Sequence, residues 1–397
     1  MKNIYNLFLI IIFHAILPIL SIFFKRIKFW LFIQRKKTAL KIQTITKKRI
    51  WFHCASVGEY EMIKPIIKYY EVEKNEIIIS FFSALAYGHI KNNSNYNCFL
   101  FPLDTSYNIN KTIKKINPKK VIIAKNEIWP NFIISCYKNS IPTYLIATKI
   151  KDSRLHNFFY GKFYCSLLNK ITGIFVVDEN SKIALREKNI NSMISGDPRV
   201  DQVLYEKKIN RKNKIIENFI TNKKIIIAGS TDTKDYFLFN KLMNSDKKKW
   251  IIIPHNSSKK DLKYITNKIT AKWSLYSEPK DLENSKILII DKVGILKDIY
   301  KYADVVYIGG GFSNGIHNCL EPAVYHKPIV IGPKYKKFPE ALFFVKNKIC
   351  FSVKSSIEFE KNINKMFNMK ELKSKSVDFF KKHSGATKTI IKFLSKS

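Results

Sequence analysis

The feature that most constrains this chain is a rhythm of short, unbroken apolar runs separated by stretches of helix length. From Arg49 the runs read RIWFHCAS, EIIISFFS, NCFLFPLD, KKVIIAKNE, IPTYLIAT, ITGIFVVDEN and NSMISGD. A strand with one wet face alternates apolar and polar residues, whereas a strand covered on both faces does not. Runs of this kind, alternating with helices, predict parallel sheets with helices on both sides, the doubly wound α/β class. The rhythm lapses from Gly196 to Lys214 and then restarts with KKIIIAGST, KKWIIIPHN, SKILIIDKV, ADVVYIGGG and KPIVIGP. The 397 residues suit two domains. The expectation is therefore two Rossmann-like domains facing a cleft. The first covers 25–205. The second covers 206–397, and its last helix can return to the first domain.

Ahead of these domains lies NLFLIIIFHAILPILSIFF, Asn6 to Phe24, without a formally charged residue but with His14 and Pro18. Lys25, Arg26, Lys28, Arg35, Lys36 and Lys37 follow it. An apolar run of this length just reaches across a bilayer core, and basic residues behind it keep the following chain on the cytoplasmic side. Residues 1–24 are thus expected to be a membrane anchor helix, spanning or monotopic, in the inner membrane. A cleaved signal peptide is disfavoured. Its positive charge would precede the apolar run, and no small-residue cleavage site follows here.

The formal net charge of +39 invites a nucleic-acid reading, but the basic residues are 63 Lys against 7 Arg, scattered along the whole chain. Readers of phosphates and bases favour Arg in clusters. The surface is expected to be drawn to anionic membrane lipids and to bind no specific nucleic acid. The six cysteines have no metal-ligand spacing and sit in or beside apolar runs, as buried reduced thiols do.

Polar residues gather where the apolar runs end, which in such sheets is the ligand-binding end. His53, Ser56, Gly58 and Glu59 follow one run, Lys125 and Glu127 another, and Gly196 and Arg199 a third. In the second half Gly229, Ser230 and Thr231, then Pro254 and His255, then Gly309 to Gly311, stand in the same position. Helix caps and ordinary loops also place polar residues there. The triple glycine is expected to turn with positive φ and leave room for a ligand near the backbone. A helix is expected over Asn318 to Val324, its N-terminus suited to a phosphate and Glu321 to ribose hydroxyls. Neither a P-loop nor a dinucleotide fingerprint is present. The combination fits a nucleotide-sugar donor.

Several motifs, HCASVGE (53–59), FPLD (101–104), NEIWPN (126–131), GDPRVD (196–201), AGST (228–231), IIIPH (251–255), HNCLEPA (317–323) and KPIVIGP (327–333), occur in an order and spacing that resemble one family. It is that of the 3-deoxy-D-manno-octulosonic acid (Kdo) transferases of lipopolysaccharide synthesis, which have the two-domain GT-B glycosyltransferase fold. The resemblance implies inverting transfer of Kdo from CMP-Kdo to a lipid A precursor (lipid IVA), with release of CMP. It implies Glu59 as the proton acceptor and Lys125 and Arg199 as transition-state stabilisers. It places CMP on Pro254, His255, Val293, Gly294, Ile295, Asn318, Cys319, Leu320 and Glu321. No cofactor and no metal are implied. The family's E-x-E-x-W-P pattern reads Lys-Asn-Glu-Ile-Trp-Pro from Lys125, and His255 stands where many members have Arg.

Two other readings compete. A nucleotide-sugar epimerase of GT-B architecture keeps the fold, but such enzymes are soluble and lack an anchor. A basic membrane-surface or nucleic-acid binding protein predicts clustered Arg interleaved with aromatic residues, which the sequence does not show.

Overall fold

The computed structural model describes residues 1–35, 42, 48–220, 223–292, 294–367, 369 and 372–396. The chain divides into two compact units, Met1–Gln202 together with His383–Ser397, and Val203–Lys382. The boundary falls inside the helix Pro198–Ile209, which occupies the stretch where the apolar rhythm lapses.

The first unit contains β1 (Arg49–Cys54), β2 (Glu76–Phe81), β3 (Asn97–Leu100), β4 (Pro118–Ala124), β5 (Thr143–Thr148), β6 (Gly173–Val176) and β7 (Met193–Ile194). They form a parallel sheet in the order β3-β2-β1-β4-β5-β6-β7. Alternate residues of one strand feed two cores. Trp51, Ile78, Val121 and Leu145 pack on one face with Phe132 and Leu167. Phe52, Ile79, Ile122 and Ile146 pack on the other with Ile63 and Ile66. Both faces are dry, which is why the strands read as unbroken apolar runs.

The helix Ala386–Leu394 belongs to this unit, and its Ile390 and Leu394 lie in the second of those cores. Asp201 fixes its start, accepting from the N–H groups of Gly385 at 2.7 Å and Thr387 at 2.6 Å. Lys120, buried in β4, donates to the Leu394 carbonyl at 2.6 Å. A carboxylate at the first turn and an ammonium at the last both suit the helix dipole.

The second unit contains β8 (Ile225–Thr231), β9 (Lys249–Pro254), β10 (Trp273–Leu275), β11 (Ile287–Ile289), β12 (Val305–Ile308), β13 (Ile329–Ile331) and β14 (Cys350–Ser352). Their parallel order is β10-β11-β9-β8-β12-β13-β14. Five of the seven were expected from the sequence; β10 and β14, three residues each, are the two edges.

The N-terminal apolar run is helical from Lys2 to Phe23, with a mean hydropathy of 2.4, long and apolar enough to cross a membrane. A π-helical turn over Ile12–Ile16 precedes Pro18, which has no N–H to donate to the His14 carbonyl. Phe24 is extended, and a second helix, Lys25–Arg35, follows.

Candidate active site

In each sheet the strand order reverses once, between β1 and β4 in the first unit and between β8 and β12 in the second. Loops leaving the carboxyl ends on either side of such a point diverge and leave a crevice, where ligands of doubly wound sheets bind. Glu59 follows β1 and Lys125 follows β4, so the first reversal sets the two side by side.

Ser56 is extended and caps the helix Val57–Val72, its hydroxyl accepting from the Glu59 N–H at 3.3 Å. Glu59 reaches back, and its Oε2 accepts from the Ala55 N–H at 2.5 Å. The helix-capping role open to Glu59 is therefore filled by one of its oxygens. The other, Oε1, faces the Lys125 ammonium at 3.9 Å. Lys125 leaves β4 in the left-handed region, with φ of 56°. That conformation is unusual for a lysine. It is held by two bonds to β5, from the Lys125 N–H to the Ile146 carbonyl (2.8 Å) and from the Thr148 hydroxyl to the Lys125 carbonyl (3.1 Å).

Burial pushes the Glu59 carboxyl above the usual carboxylate range; the Ala55 N–H, then Lys125, then Ser56 pull it part of the way back. Glu127 is raised by burial and by the Glu59 charge, and its Oε2 accepts from Trp129 Nε1 at 3.1 Å. A partly desolvated carboxylate is a stronger base than an ordinary one, and an adjacent cation favours its ionised form. His53 is not part of this chemistry. It lies fully buried in β1 against the Ser80 hydroxyl, and burial pushes its pKa down to about 3.

Arg199 is not brought to this pair by the sheet. It follows the edge strand β7, four strand spacings from β1, or about 19 Å across the sheet. Its guanidinium forks onto Asp197, with Nε 2.9 Å and Nη2 2.6 Å from Oδ2.

The FPLD and NEIWPN motifs meet at Asp104, which is 1% exposed. Its carboxylate caps the helix Pro130–Lys138, accepting from the N–H groups of Asn131 and Phe132, both at 2.9 Å. It also accepts from the Tyr5 hydroxyl at 2.8 Å. The sequence carries no local signature for this role, because the partners lie 27 and 99 residues away.

In the second unit the triple glycine does not open a space. A Cβ on Gly309 would meet the Ser230 carbonyl oxygen at 2.2 Å, and one on Gly311 would meet the Gly332 Cα at 2.6 Å. The protein's own backbone fills the room expected for a ligand. Only Gly310 needs the left-handed region, with φ of 87°. Asp235, fully buried, secures this turn and was not anticipated. It accepts from the Gly310 N–H (3.0 Å), the Tyr307 hydroxyl (2.8 Å) and the Asp232 N–H (2.7 Å).

The expected helix from Asn318 is a single turn, Leu320–Ala323. Asn318 caps it, its Oδ1 accepting from the Leu320 N–H at 3.1 Å and its Nδ2 donating to Glu321 Oε1 at 3.1 Å. Four residues carry little dipole, so the helix N-terminus is a weaker anion site than expected. The side chains of Cys319 and Leu320 are core, and these residues can offer a ligand only backbone. Glu321 is half-buried. Pro254 ends β9, and His255 beyond it stacks its ring on His317, with centroids 4.3 Å apart. Burial, then the neighbouring His255, lowers the His317 pKa, while Asp232 pulls it up. Gly294, with φ of 91°, and Ile295 precede the helix Leu296–Ile299; Val293 lies outside the described residues.

Two parallel-sheet α/β units of this kind have the architecture of the GT-B fold. A glycosyltransferase from Rickettsia africae shares the architecture with a TM-score of 0.56 at 14% identity, over 89% of this chain and all but 1% of that one. Residues 26–202, less than half of the chain, match the family model described as 3-deoxy-D-manno-octulosonic-acid transferase, and this match supports the Kdo transferase family. A 3-deoxy-D-manno-octulosonic acid transferase of Aquifex aeolicus is 27% identical over 82% of this chain and 88% of its own length. A bifunctional glycosyltransferase/methyltransferase of Fusobacterium nucleatum is 29% identical over 86% of this chain, which spans only 56% of that longer relative.

Proposed function

We propose that the chain transfers Kdo from CMP-Kdo to a sugar hydroxyl of a lipid A precursor, lipid IVA, at the cytoplasmic face of the inner membrane. The observation that carries this reading is the Glu59 carboxyl, its pKa raised by burial, with the Lys125 ammonium 3.9 Å from its Oε1. The acceptor oxygen attacks the anomeric carbon of Kdo and its proton passes to Glu59. The bond from that carbon to the CMP phosphate oxygen breaks, CMP leaves with the electron pair, and the anomeric configuration inverts. A general base of this kind contributes about 10²–10⁴-fold. Lys125 and Arg199 are assigned to the negative charge of the Kdo carboxylate and the departing phosphate, which a guanidinium fork suits.

CMP is assigned to the second unit: Pro254, His255, Val293, Gly294, Ile295 and the Asn318–Glu321 segment, with Glu321 on the ribose. A lipid acceptor is supported by an apolar groove of ≈ 480 Å³ in the first unit, lined by Ile4, Phe8, Ile128, Phe159 and Phe163 among others. Ile128 adjoins Glu127 in sequence. In the groove's lining, Ile4 and Phe8 belong to the apolar helix.

The test is incubation with CMP-Kdo and tetraacylated lipid A precursor, followed by mass spectrometry of the lipid. A product heavier by one or more Kdo residues is expected. CMP release without a lipid-linked sugar would overturn the acceptor assignment. An unchanged donor would overturn the whole reading.

A further inference from the structure

The apolar helix Lys2–Phe23 has the length to cross a bilayer, but both of its ends are tied to the first unit. Near its start the Tyr5 hydroxyl donates to Asp104, and Asn131 Nδ2 donates to Asn6 Oδ1 at 2.8 Å. Asp104 and Asn131 are interior residues, at 1% and 0% exposure. Past its end the chain turns at Phe24, and the helix Lys25–Arg35 returns to the same unit. There Trp30 Nε1 donates to the Phe82 carbonyl at 3.0 Å, and Gln34 Nε2 donates to the Phe101 carbonyl at 2.7 Å. Tyr5 and Gln34 thus bond to one short segment, 101–104.

At 1.5 Å per residue, a spanning helix with Lys25 at the near interface would carry Tyr5 about 30 Å across the bilayer. Tyr5 and Asp104 would then stand on opposite sides of the membrane. The latch and a spanning helix exclude each other.

The faces of the helix agree. Leu9 is buried on the latched side. Ile4, Phe8, Ile11, Ile19 and Ile22 form an exposed stripe, and Leu7, Ile10, Ile16 and Phe23 widen it into a broad exposed apolar surface. Phe158, 94% exposed, and Phe159, 81% exposed, extend this apolar surface, since Phe159 lines the groove shared with Ile4 and Phe8. Exposed Lys25, Arg26 and Lys28 stand at the end of the stripe. An apolar stripe bordered by cations matches an anionic leaflet, whose tails and headgroups take the two in turn.

We propose that Lys2–Phe23 lies in the plane of one leaflet, latched to the first unit on one side and inserted in lipid on the other, without crossing the membrane. The test uses the full chain in sealed vesicles of phosphatidylethanolamine and phosphatidylglycerol. It carries a protease-removable tag at each end, and protease is added outside. Each molecule should lose both tags or neither, whichever way it was incorporated. Molecules that lose only one tag would show a spanning helix and overturn the proposal. In parallel, Phe8→Asp with Ile19→Asp should reduce vesicle binding at least about ten-fold with unchanged circular dichroism. Undiminished binding would overturn the proposal. So would a lipid-free wild type that is dimeric where the variant is monomeric, since the stripe would then face a second copy.

Discussion

The Lys125 ammonium stands 3.9 Å from the Glu59 carboxylate, the one extending from the end of β4 and the other from the first turn after β1. The two strands are neighbours in the sheet though distant in sequence. Glu59→Gln keeps the shape and removes the base. Transfer should fall by about 10²–10⁴-fold while CMP affinity, assigned above to the other unit, stays near wild type. Steady-state kinetics beside calorimetric CMP titration checks both halves. Turnover within a factor of about three of wild type would remove Glu59 from the role.

The pH profile follows from the same pair. Lys125 lowers the Glu59 pKa that burial raises. Removing the cation lets it rise further, and a second anion raises it more. Activity needs the ionised carboxylate, so it is lost as pH falls through that pKa. The acid limb of kcat/KM should therefore move to higher pH in Lys125→Met, and further still in Lys125→Glu. A limb unmoved in both variants would mean that the titrating group is not Glu59.

Glu321 and Lys125 should fail in different ways. Glu321 is braced by Asn318 beside the one-turn helix. Losing a charged acceptor typically costs about 1.5–3 kcal/mol, so Glu321→Ala should weaken CMP binding roughly 10–150-fold. Lys125→Ala should reduce turnover more than CMP affinity, because its charge matters most as the leaving group gains charge. The opposite pattern in calorimetry and kinetics would exchange the two assignments.

Two glycines separate structural need from chemical need. A Cβ at Gly311 would collide with the backbone of Gly332, whereas one at Gly58 meets nothing nearer than the Ser56 hydroxyl at 3.9 Å. Gly311→Ala should lower the melting temperature by several degrees. Gly58→Ala should not, because alanine is the better helix former by about 1 kcal/mol. Any activity lost in Gly58→Ala therefore reports crowding beside Glu59. Equal destabilisation by both would refute this contrast.

Asp104 makes stability depend on pH. Burial pushes its pKa up to about 7, against the pull of Asn131, Tyr5 and Phe132. The folded state then holds a proton that the unfolded chain releases near the ordinary aspartate value. Stability from this group is greatest at low pH and falls as pH rises towards 7, by at most about 1.4 kcal/mol per unit. Thermal melts of wild type and Asp104→Asn should differ in slope over that window, the variant being the flatter. Parallel slopes would show Asp104 ionised throughout.

The sequence made the architecture legible because the central strands of both sheets are buried on both faces and read as unbroken apolar runs. The two it hid, β10 and β14, are edges, where a three-residue strand has one neighbour and needs no apolar run. Trp273 is partly exposed, and Phe351 and Ser352 are half-buried. Glu59 and Lys125 were legible as strand-end residues, but their pairing needed the order of the sheet. The triple glycine misled for a physical reason. A missing side chain makes equal room for a ligand or for another stretch of backbone, and here Ser230 and Gly332 take the room. The capping roles of Asp104 and Asp201 were missed because the N–H groups they accept from lie far away in sequence, and the role of Asp235 because Tyr307 and Gly310 do too.

The docking of Ala386–Leu394 onto the first unit has a consequence for how the protein is made. Asp201 and Lys120 emerge from the ribosome early, but the helix they hold emerges some 190 residues after Gln202. At ordinary translation speeds that is a delay of roughly 10–40 s. During it the intervening unit can fold on its own, while the unit carrying Glu59 waits with Phe52, Ile63 and Phe175 lacking their last neighbours. A nascent chain released at Lys382 would therefore be damaged in the half it has already completed, far in sequence from the cut.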